Sequence, residues 1–340
     1  HASVFDVTSA TYGAKPGSDV STALAKAWSD ACASPSASKL KEANFRGPCK
    51  APIEMQVQGI LQAPADASQL TRPDTWVGFQ YIDMLTLSGG GTFDGQGALS
   101  WNQNDCHKNK NCKPLPVNLR FEFLTNSKVQ DITSLNSKFF HMHVFRCNHT
   151  TFQQLTITAP DESRNTDGIH IGASTAINIT HSKIGTGDDC ISIGHGISIG
   201  SLGKYKEEKD VTGIIVKNCT LANTENGVRI KTFPDSPSPS TASGIHYEDI
   251  IMVNVSNPIL IDQLYCPYTQ CDKSLRQKLR SAMSASRTLR AHLSLHLQSS
   301  LYVPQASCEN VELTDIDLTY GGDKGPLTSM CSNVKPQLLA

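Results

Sequence analysis

The sequence predicts an all-β protein whose short strands stack into a solenoid, with one short capping helix near the N-terminus. A length of 340 residues is long for one ordinary core, which favours a repeat that grows lengthwise. After the predicted helix, the chain consists of short stretches rich in Val, Ile, Thr, Asn and Gly, separated by turn residues. Within these stretches a six-residue pattern recurs, and this recurrence favours a solenoid above other all-β folds.

The capping helix is predicted from apolar residues that recur at every fourth position. Its apolar positions are Val20, Leu24, Trp28 and Cys32, and side-chain oxygens that could cap its start belong to Asp19, Ser21 and Thr22. A single amphipathic helix in this place suits the end of a solenoid.

The six-residue pattern alternates apolar and polar residues, as expected for strands with one buried face. Its copies are VQDITS at 129–134, FQQLTI at 152–157, ITHSKI at 179–184, VKNCTL at 216–221, YEDIIM at 247–252 and VELTDI at 311–316. Successive copies lie 23, 27, 37, 31 and 64 residues apart, and a period in the twenties is typical of stacked coils. The alternative, a sandwich of antiparallel strands, predicts no fixed period.

One segment, residues 274–305, departs from this texture. It contains seven Ser, seven Leu and five basic residues, but no Asp, Glu, Gly, Ile or Asn. Leucines four residues apart would favour a basic amphipathic helix. We favour another interpretation, a shifted reading frame, because the composition differs so much from that of the flanking repeats. The chain from 1 to 340 is otherwise expected to form a single β-solenoid domain.

Composition excludes several classes of protein. The chain is 39% hydrophobic and 18% charged, with a formal net charge of -1, which is unlike a disordered or nucleic-acid-coating protein. No unbroken apolar run approaches the roughly eighteen residues of a membrane span. We therefore expect a soluble protein with neither a nucleic-acid nor a membrane partner.

Cysteines and glycosylation triplets indicate an oxidising compartment. Eleven cysteines, an odd number, include the closely spaced pairs Cys32/Cys49, Cys106/Cys112 and Cys266/Cys271, and no two-pair metal-ligand spacing appears. The glycosylation candidates are Asn148, Asn178, Asn218 and Asn254. We expect a secreted, extracellular protein in its mature form, because no signal peptide is visible at His1.

Two polar motifs, about one coil apart, supply three carboxylates. NTDG at 165–168 ends in a turn dipeptide, and GDDC at 187–190 places two adjacent acids before a strand. Each motif alone is explained most simply as a solvated loop. Asp167 and Asp188 are 21 residues apart, however, so consecutive coils would bring the acids together. Crowded carboxylates shift each other's pKa values, which lets one act as an acid and another as a base, as glycoside hydrolysis requires.

Three further polar residues are candidates for the same face. His195 lies between two glycines, which permit close approach of a ligand, although a lone histidine is commonly a turn or core residue. Arg229 and Lys231 alternate along a predicted strand, so their side chains project from one face. A solvated β-face would also explain them, whereas two cations beside three acids would suit an anionic sugar.

Taken in order, these motifs resemble those of the polygalacturonases, glycoside hydrolase family 28. The matching motifs are NTD at 165–167, GDD at 187–189, GHG at 194–196 and RIK at 229–231, with FDGQG at 93–97 and NLRF at 118–121. The wording GHGISIGSLGKY looks like the plant pollen exopolygalacturonases. The resemblance extends from about Val4 to Asn333, apart from the anomalous stretches. It implies a right-handed parallel β-helix, of the pectin-lyase-like type, that cleaves α-1,4 links of polygalacturonate with inversion and without a metal or other cofactor.

The resemblance also implies roles for individual residues. The catalytic residues would be Asp188 as general acid, Asp167 and Asp189 for the attacking water, and His195 as the group that tunes the acid. The substrate-binding residues would be Asn165, Arg229, Lys231 and Tyr265. An inverting pair needs its carboxylates roughly 6.5 to 9.5 Å apart, a separation that neighbouring coils can supply. The implied partner is polygalacturonate (pectin), and we expect the protein to be a monomer that attacks chain ends.

The sequence departs from the family pattern near His195. In the family, the GDD and GHG motifs lie on successive coils, whereas here Asp188 and His195 are seven residues apart and the word ISIG occurs twice. Seven extended residues span roughly 23 Å, while adjacent rungs lie about 4.8 Å apart. A tight hairpin at His195 is an alternative, but it would break a parallel stack. We therefore hypothesise that about one coil has been lost, together with the cysteine that the resemblance pairs with Cys190, and that a second loss lies near Lys39 to Arg46.

Three functions are compatible with these features. The first is a secreted pectin hydrolase. The second is a catalytically impaired wall-binding or allergenic relative that keeps the cationic cleft but lacks the acid geometry. The third is a pectate lyase on the same solenoid, which is disfavoured because elimination needs calcium and a strong base.

Overall fold

The chain folds into a right-handed parallel β-helix, as predicted. The computed structural model describes residues 3–5, 7, 9–15, 21–33, 38–40, 45–70, 72–103, 109, 115–193, 210–231, 233, 241–262, 265–266, 280–285, 289–293, 299–302, 308–314, 316–320, 329–332 and 337–339. Within these ranges the helices are α1 (Ser21–Ala33) and α2 (Ala98–Gln103), with a 3-10 turn at Ala67–Gln69. None of the helices in these ranges is long and apolar enough to cross a membrane.

The strands form three ladders, and between Phe45 and Gly185 each coil contributes one strand to each ladder. Ladder 1 contains β3 (Phe45–Arg46), β6 (Thr75–Gln80), β9 (Val117–Glu122), β12 (Met142–Phe145), β15 (Ile169–Gly172) and β18 (Ile191–Ile193). Ladder 2 contains β1 (Ser3–Phe5), β2 (Ser38–Leu40), β4 (Ile53–Gln56), β7 (Leu85–Ser88), β10 (Thr125–Gln130), β13 (Asn148–Gln153), β16 (Thr175–Thr180), β21 (Arg280–Ala285), β24 (Cys308–Thr314) and β27 (Gln337–Leu339).

The remaining strands complete the coils. Ladder 3 contains β5 (Ile60–Gln62), β8 (Thr92–Asp94), β11 (Thr133–Leu135), β14 (Thr156–Thr158), β17 (Lys183–Gly185), β22 (Leu289–Leu293) and β25 (Ile316–Tyr320). Two long strands, β19 (Val211–Lys231) and β20 (Thr241–Asp262), pass through all three ladders. A separate pair joins β23 (Ser299–Tyr302) to β26 (Ser329–Ser332).

The recurring pattern identifies the stacking register. One buried column of ladder 2 contains the first residue of five copies, Val129, Phe152, Ile179, Val216 and Tyr247. Each is at most 2% exposed, so the column forms a continuous part of the core. All strand pairings between the described residues are parallel, which excludes the antiparallel sandwich.

The sixth copy of the pattern is displaced from its predicted position. His246 of β20 pairs with Ser284, and Ser284 pairs with Glu312. Leu313 therefore continues the Tyr247 column, two residues after the position that the pattern predicts. Both pairings contain a register shift, and such irregularities, of which β-bulges are the common kind, are not visible in a regular alternation of residues.

The anomalous segment contributes strands to the solenoid. Its described parts include β21, β22 and β23, and the helix that its leucine spacing would favour is absent from them. Strands β21 and β22 each pair with β20 on one side, and with β24 and β25 respectively on the other. A parallel ladder satisfies main-chain donors and acceptors whatever the side chains, so helical spacing is overridden here. The reading-frame hypothesis stays a prediction.

The spacing of 37 residues between the copies of the pattern at 179–184 and 216–221 is accommodated in one coil. Strand β18 pairs with β15, and the start of β19 pairs with β16, so Ile193 and Val211 belong to successive strands of a single coil. Residues 194–209, which include His195, lie outside the described residues.

The capping helix covers the N-terminal end of a stack of aromatic rings. Trp28 of α1 packs on Phe45 with ring centroids 4.0 Å apart, and its indole N–H donates to the Arg46 carbonyl. Phe45 packs in turn on Phe79, and Phe79 stacks on Phe121 at 5.3 Å. Burial of these rings stabilises the N-terminal end of the solenoid core, beneath the capping helix. Helix α2 was not predicted by the sequence pattern.

Five of the eleven cysteines have side chains in the described part of the structure, and they fall into two groups. Cys49 and Cys266 are disulfide-bonded, whereas Cys147, Cys190 and Cys219 are free and buried. Burial raises the pKa of the Cys190 thiol to about 12, so this group is an inert part of the core. The loss of a coil carrying a partner for Cys190 stays a prediction.

Candidate active site

Coil stacking brings the three polar motifs together on adjacent rungs of ladder 1. Ile169 pairs with Ile191, and Ile191 pairs with Val228. The NTD and GDD motifs precede the first two strands, and the RIK motif lies at the third. The stacking brings the acids together: Asp189 lies opposite Asp167, and the Asp189 carbonyl accepts from the Gly168 N–H at 2.9 Å.

Close contact between these coils explains two glycines of the motifs. A Cβ atom at Gly168 would overlap the Cys190 carbonyl oxygen, and one at Gly187 would overlap the Ser163 carbonyl oxygen. The hydroxyl of Thr166 accepts from the Gly187 N–H at 3.1 Å, which ties the NTD motif to the GDD motif. Glycine is needed here for close approach of two coils, whereas the sequence analysis attributed the first of these glycines to a turn.

Asp189 is held by three donors from strand β19. Its Oδ1 accepts from Asn226 Nδ2 at 3.0 Å and from an Arg229 guanidinium nitrogen at 3.1 Å. Its Oδ2 accepts from Lys231 Nζ at 2.7 Å. The carboxylate is fully buried, while the Arg229 side chain is 15% exposed. The two cations lie on one face, as the alternation of Arg229 and Lys231 predicts.

These contacts determine the charge of Asp189. Burial alone would raise the pKa of this carboxyl, but Lys231 and Arg229 outweigh burial and hold it well below the usual range. The same attraction raises the pKa of Lys231 and of Arg229, although burial opposes both charges. Asp189 is therefore an anion throughout the physiological pH range.

Asp188 has the opposite character. It is partly exposed, and its backbone carbonyl accepts from the hydroxyls of Thr224 and Thr186. Removal of water around the carboxyl raises its pKa well above the usual value, and the negative charges of Asp167 and Asp189 raise it further. Adjacent residues of one motif thus have opposite protonation states at weakly acidic pH.

Asp167 is a buried acid beside a neutral histidine. Burial raises its pKa to about 7, against the effect of the nearby Lys231. His170 Nδ1 lies 3.4 Å from Asp167 Oδ2, and the imidazole stacks on Phe140 at 4.5 Å. Burial lowers the pKa of His170 to about 3, so this contact is a weak hydrogen bond to a neutral ring.

Tyr265 lies against the cationic pair. Its ring centroid is 5.3 Å from the guanidinium carbon of Arg229 and 5.2 Å from Lys231 Nζ. An aromatic face over two cations stabilises their charges and reduces their contact with water. Tyr265 itself is partly exposed.

The other predicted residues have varied positions. Asn165 adopts a left-handed backbone with a φ of 56°, and its buried Oδ1 has no hydrogen-bond partner among the described residues. His195 lies outside them. In the described ranges, no group of three His, Cys, Asp or Glu side chains could hold a metal ion. Of the glycosylation candidates, Asn148 and Asn218 are exposed, while Asn178 and Asn254 are partly buried.

Comparison with known proteins identifies the family. Residues 27–339 match the profile described as Glycosyl hydrolases family 28. The chain belongs to this family. An exopolygalacturonase from Platanus acerifolia is 46% identical, over 98% of this chain and 95% of the relative. A polygalacturonase from Nicotiana tabacum is 44% identical, over 98% of this chain and 89% of the relative.

Solved structures of other proteins named polygalacturonases share the fold of this chain. A polygalacturonase from Erwinia carotovora ssp. carotovora has a TM-score of 0.68 at 21% identity, with 95% of each chain covered. Endopolygalacturonase I from Stereum purpureum, complexed with two galacturonate, has a TM-score of 0.53 at 19% identity, with 92% of this chain and 97% of that chain covered.

Two residues at the site of this family 28 hydrolase escaped the sequence analysis. Asn226 donates to Asp189, and His170 contacts Asp167. Asn226 lies three residues before Arg229 and His170 three residues after Asp167, so proximity in sequence to the charged motifs was the signal available. Neither residue is charged in the folded protein, which is why a search for clusters of acids and bases passes over them.

Replacement of Asp167 by asparagine should stabilise the fold at neutral pH. The pKa of Asp167 in the folded protein, about 7, exceeds its value in the unfolded chain. The folded protein therefore loses stability as pH rises from about 4 to 7. Asp167→Asn removes this cost, which reaches about 4 kcal/mol above pH 7 with the attraction to Lys231 already included in the pKa. Thermal melts at pH 4 and pH 7.5 would measure the gain.

The control for this prediction is Asp131→Asn at an exposed carboxyl. It should change the melting temperature little at either pH. A melting temperature for Asp167→Asn that is no higher than wild type at pH 7.5 would show that Asp167 is not a strained buried acid.

Proposed function

We propose that this chain is a secreted hydrolase that cleaves the α-1,4-galacturonosyl links of polygalacturonate with inversion, acting at chain ends. The observation that carries the proposal is the contrast between Asp188 and Asp189. Asp188 is partly exposed and has a raised pKa, whereas Asp189 is buried, ion-paired and ionised. An inverting glycosidase needs such a pair, one carboxyl group as a proton donor and another as a base.

The proposed reaction is a single displacement. Asp188 gives its proton to the glycosidic oxygen as the bond from that oxygen to the anomeric carbon breaks. Asp189 accepts a proton from a water molecule whose oxygen bonds to the anomeric carbon from the opposite face. Asp167 keeps its proton up to a pH of about 7 and would orient this water through hydrogen bonds. His195 is proposed, on the family resemblance, to tune Asp188.

The substrate carboxylate would bind at Arg229, Lys231 and Tyr265. Arg229 has part of its surface exposed, and its Nε has no partner among the described residues, so it retains donors for an anionic sugar. Asn165, with a buried carbonyl oxygen that also lacks a partner there, would accept from a sugar hydroxyl.

Further properties are proposed on independent grounds. Relatives from Platanus acerifolia and Oenothera organensis are named exopolygalacturonases, which supports attack at chain ends. The disulfide-bonded Cys49 and Cys266, together with exposed side chains at Asn148 and Asn218, support a secreted glycoprotein of the cell wall. We propose a monomer that forms one solenoid domain over residues 1–340.

A catalytically impaired relative is the second candidate. The alignment with the Platanus protein runs over 364 positions but takes in 98% of these 340 residues, so about thirty positions of the relative have no counterpart here. A shortened repeat is consistent with the hypothesis of a lost coil. Direct ion pairing of Arg229 and Lys231 with Asp189 would also make the cations less available to substrate.

One set of assays separates these candidates. Release of reducing ends from polygalacturonate, with proton NMR of the first-formed anomer, should show hydrolysis with the β-anomer produced before mutarotation. Monogalacturonate as the early product indicates attack at chain ends, whereas a ladder of oligomers would contradict it. Binding without cleavage would establish the impaired relative, and an unsaturated product abolished by a chelator would establish a lyase.

A further inference from the structure

We propose that Asn226 is a positioning residue for Asp189, and that Asn257 on the next coil sets the orientation of the Asn226 amide. The inference rests on the proposed function, in which Asp189 accepts a proton from water. It adds to that function two neutral residues that act through Asp189.

The three side chains form a column across successive coils. Ile191 pairs with Val228, which places Asn226 opposite Asp189, and Asn226 pairs directly with Asn257. Asn226 Nδ2 donates to Asp189 Oδ1 at 3.0 Å, and Asn257 Nδ2 donates to Asn226 Oδ1 at 3.0 Å. Asn226 is 2% exposed, whereas Asn257 is partly buried.

Only one orientation of the Asn226 amide satisfies both neighbours. Its oxygen faces the donating Nδ2 of Asn257, which leaves its own Nδ2 facing the carboxylate. The reversed amide would set its oxygen against Asp189 and its nitrogen against the nitrogen of Asn257. Asn257 therefore favours the orientation that holds Asp189.

Asn226 and the two cations affect Asp189 in different ways. Lys231 and Arg229 supply positive charge, which stabilises the anion. The neutral amide adds a directional bond to Oδ1, which restricts rotation of the carboxylate about its Cβ–Cγ bond. Without Asn226 the carboxylate would still be ionised and would keep its contacts with Arg229 and Lys231, but it would lose one of the two donors to Oδ1, so its remaining lone pairs would point less consistently at the water. The contribution of Asn226 should therefore appear in kcat.

The charged and titratable groups around Asp189 come from four parts of the chain. They are Asp188 beside it, Asp167 and His170 on the preceding coil, Arg229 and Lys231 on β19, and Tyr265. Loss of the Asn226 donor leaves all of these in place. Because a donor to the ionised form is removed, the pKa of Asp189 must rise, and the acidic limb of the pH profile must move to higher pH.

The decisive experiment compares Asn226→Ala with wild type on polygalacturonate. We expect kcat to fall roughly 10- to 100-fold with KM within about twofold, the size expected for loss of a hydrogen bond to a charged group. The acidic limb should move upward by about one to two pH units. A structural defect alone would lower the active fraction without moving the limb.

Asn257 provides the matched pair of variants. Asn257→Asp puts a carboxylate where it competes for the amide hydrogens of Asn226, so it should reproduce part of both changes. Asn257→Ala leaves the bond from Asn226 to Asp189 and should have a smaller effect than Asn257→Asp. Wild-type kcat and an unmoved acidic limb in both Asn226→Ala and Asn257→Asp would overturn the proposal.

A readout independent of activity separates this inference from the proposed function. If the wild-type chain does not cleave polygalacturonate, the proposed function fails. The positioning role is then tested by carbon-13 NMR titration of the Asp189 carboxyl, assigned with Asp189→Asn. A higher midpoint in Asn226→Ala than in wild type supports the role, and equal midpoints would refute it.

Discussion

Replacement of Lys231 by methionine is expected to lower the free energy of unfolding by about 3 kcal/mol at pH 7, because it leaves a buried carboxylate short of a counterion. Lys231 is 5% exposed, and its Nζ lies 2.7 Å from the fully buried Asp189. Methionine keeps most of the side-chain volume, so the change removes charge more than packing. Urea denaturation at pH 7 measures the effect.

The matched control is Lys217→Met on the same strand. Lys217 pairs with Glu248 at 2.6 Å, but both side chains are substantially exposed. An exposed pair contributes at most about 1 kcal/mol, so this variant should change stability much less.

The loss in Lys231→Met should also shrink as pH falls through the raised pKa of the unpaired Asp189, since protonation removes the buried charge. Equal losses in the two lysine variants would contradict the description of Asp189 as an anion held by buried cations.

Replacement of Asp188 by asparagine is expected to lower kcat/KM by about 10²- to 10⁴-fold, the contribution of a general acid. Asparagine has similar size but no proton of suitable acidity. Binding of oligogalacturonate should be kept, because Arg229 and Lys231 remain in place. Steady-state kinetics and isothermal titration calorimetry measure the two quantities.

Asp131→Asn, at an exposed carboxyl away from the site motifs, serves as the control and should leave kcat/KM unchanged. Full activity of Asp188→Asn would refute the assignment of Asp188 as the acid. A loss of binding as large as the loss of kcat/KM would mean that Asp188 acts in substrate recognition instead.

The sequence pattern predicted the architecture well because every coil of a solenoid repeats the same local structure. Five copies of the six-residue pattern occupy one column, as their alternation predicts. The prediction failed where regularity ends. Register shifts beside β21 displace Leu313 into the position expected for Val311, and the leucine-rich segment joins the ladders as strands. In both places, pairing with neighbouring coils overrides the local pattern.

The candidate site was likewise predicted where it follows from regular spacing and missed where it depends on contacts between coils. Spacing brought together the acids near 167 and 188, alternation put the cations at 229 and 231 on one face, and the family resemblance joined the two sets in one site. The spacing did not specify which of Asp188 and Asp189 stacks on Asp167, because a coil of 22 residues and one of 21 are equally compatible with the motifs. Asn226 was missed because a neutral amide beside a charged motif has no signature of its own.

By itself, the sequence determined that short strands stack and that three carboxylates and two cations share one region of the stack. The family resemblance assigned Asp188 as the acid, whereas the physical reason why Asp189 is the anion lies only in the tertiary structure. Asp188 and Asp189 are adjacent and chemically identical, so no local property separates them. The donors to Asp189 lie 37, 40 and 42 residues further along the chain, on the next coil, and Asp188 lacks equivalent contacts in the described part of the structure. Charge state depends on burial and on distances across coils, and those quantities exist only once the chain has folded.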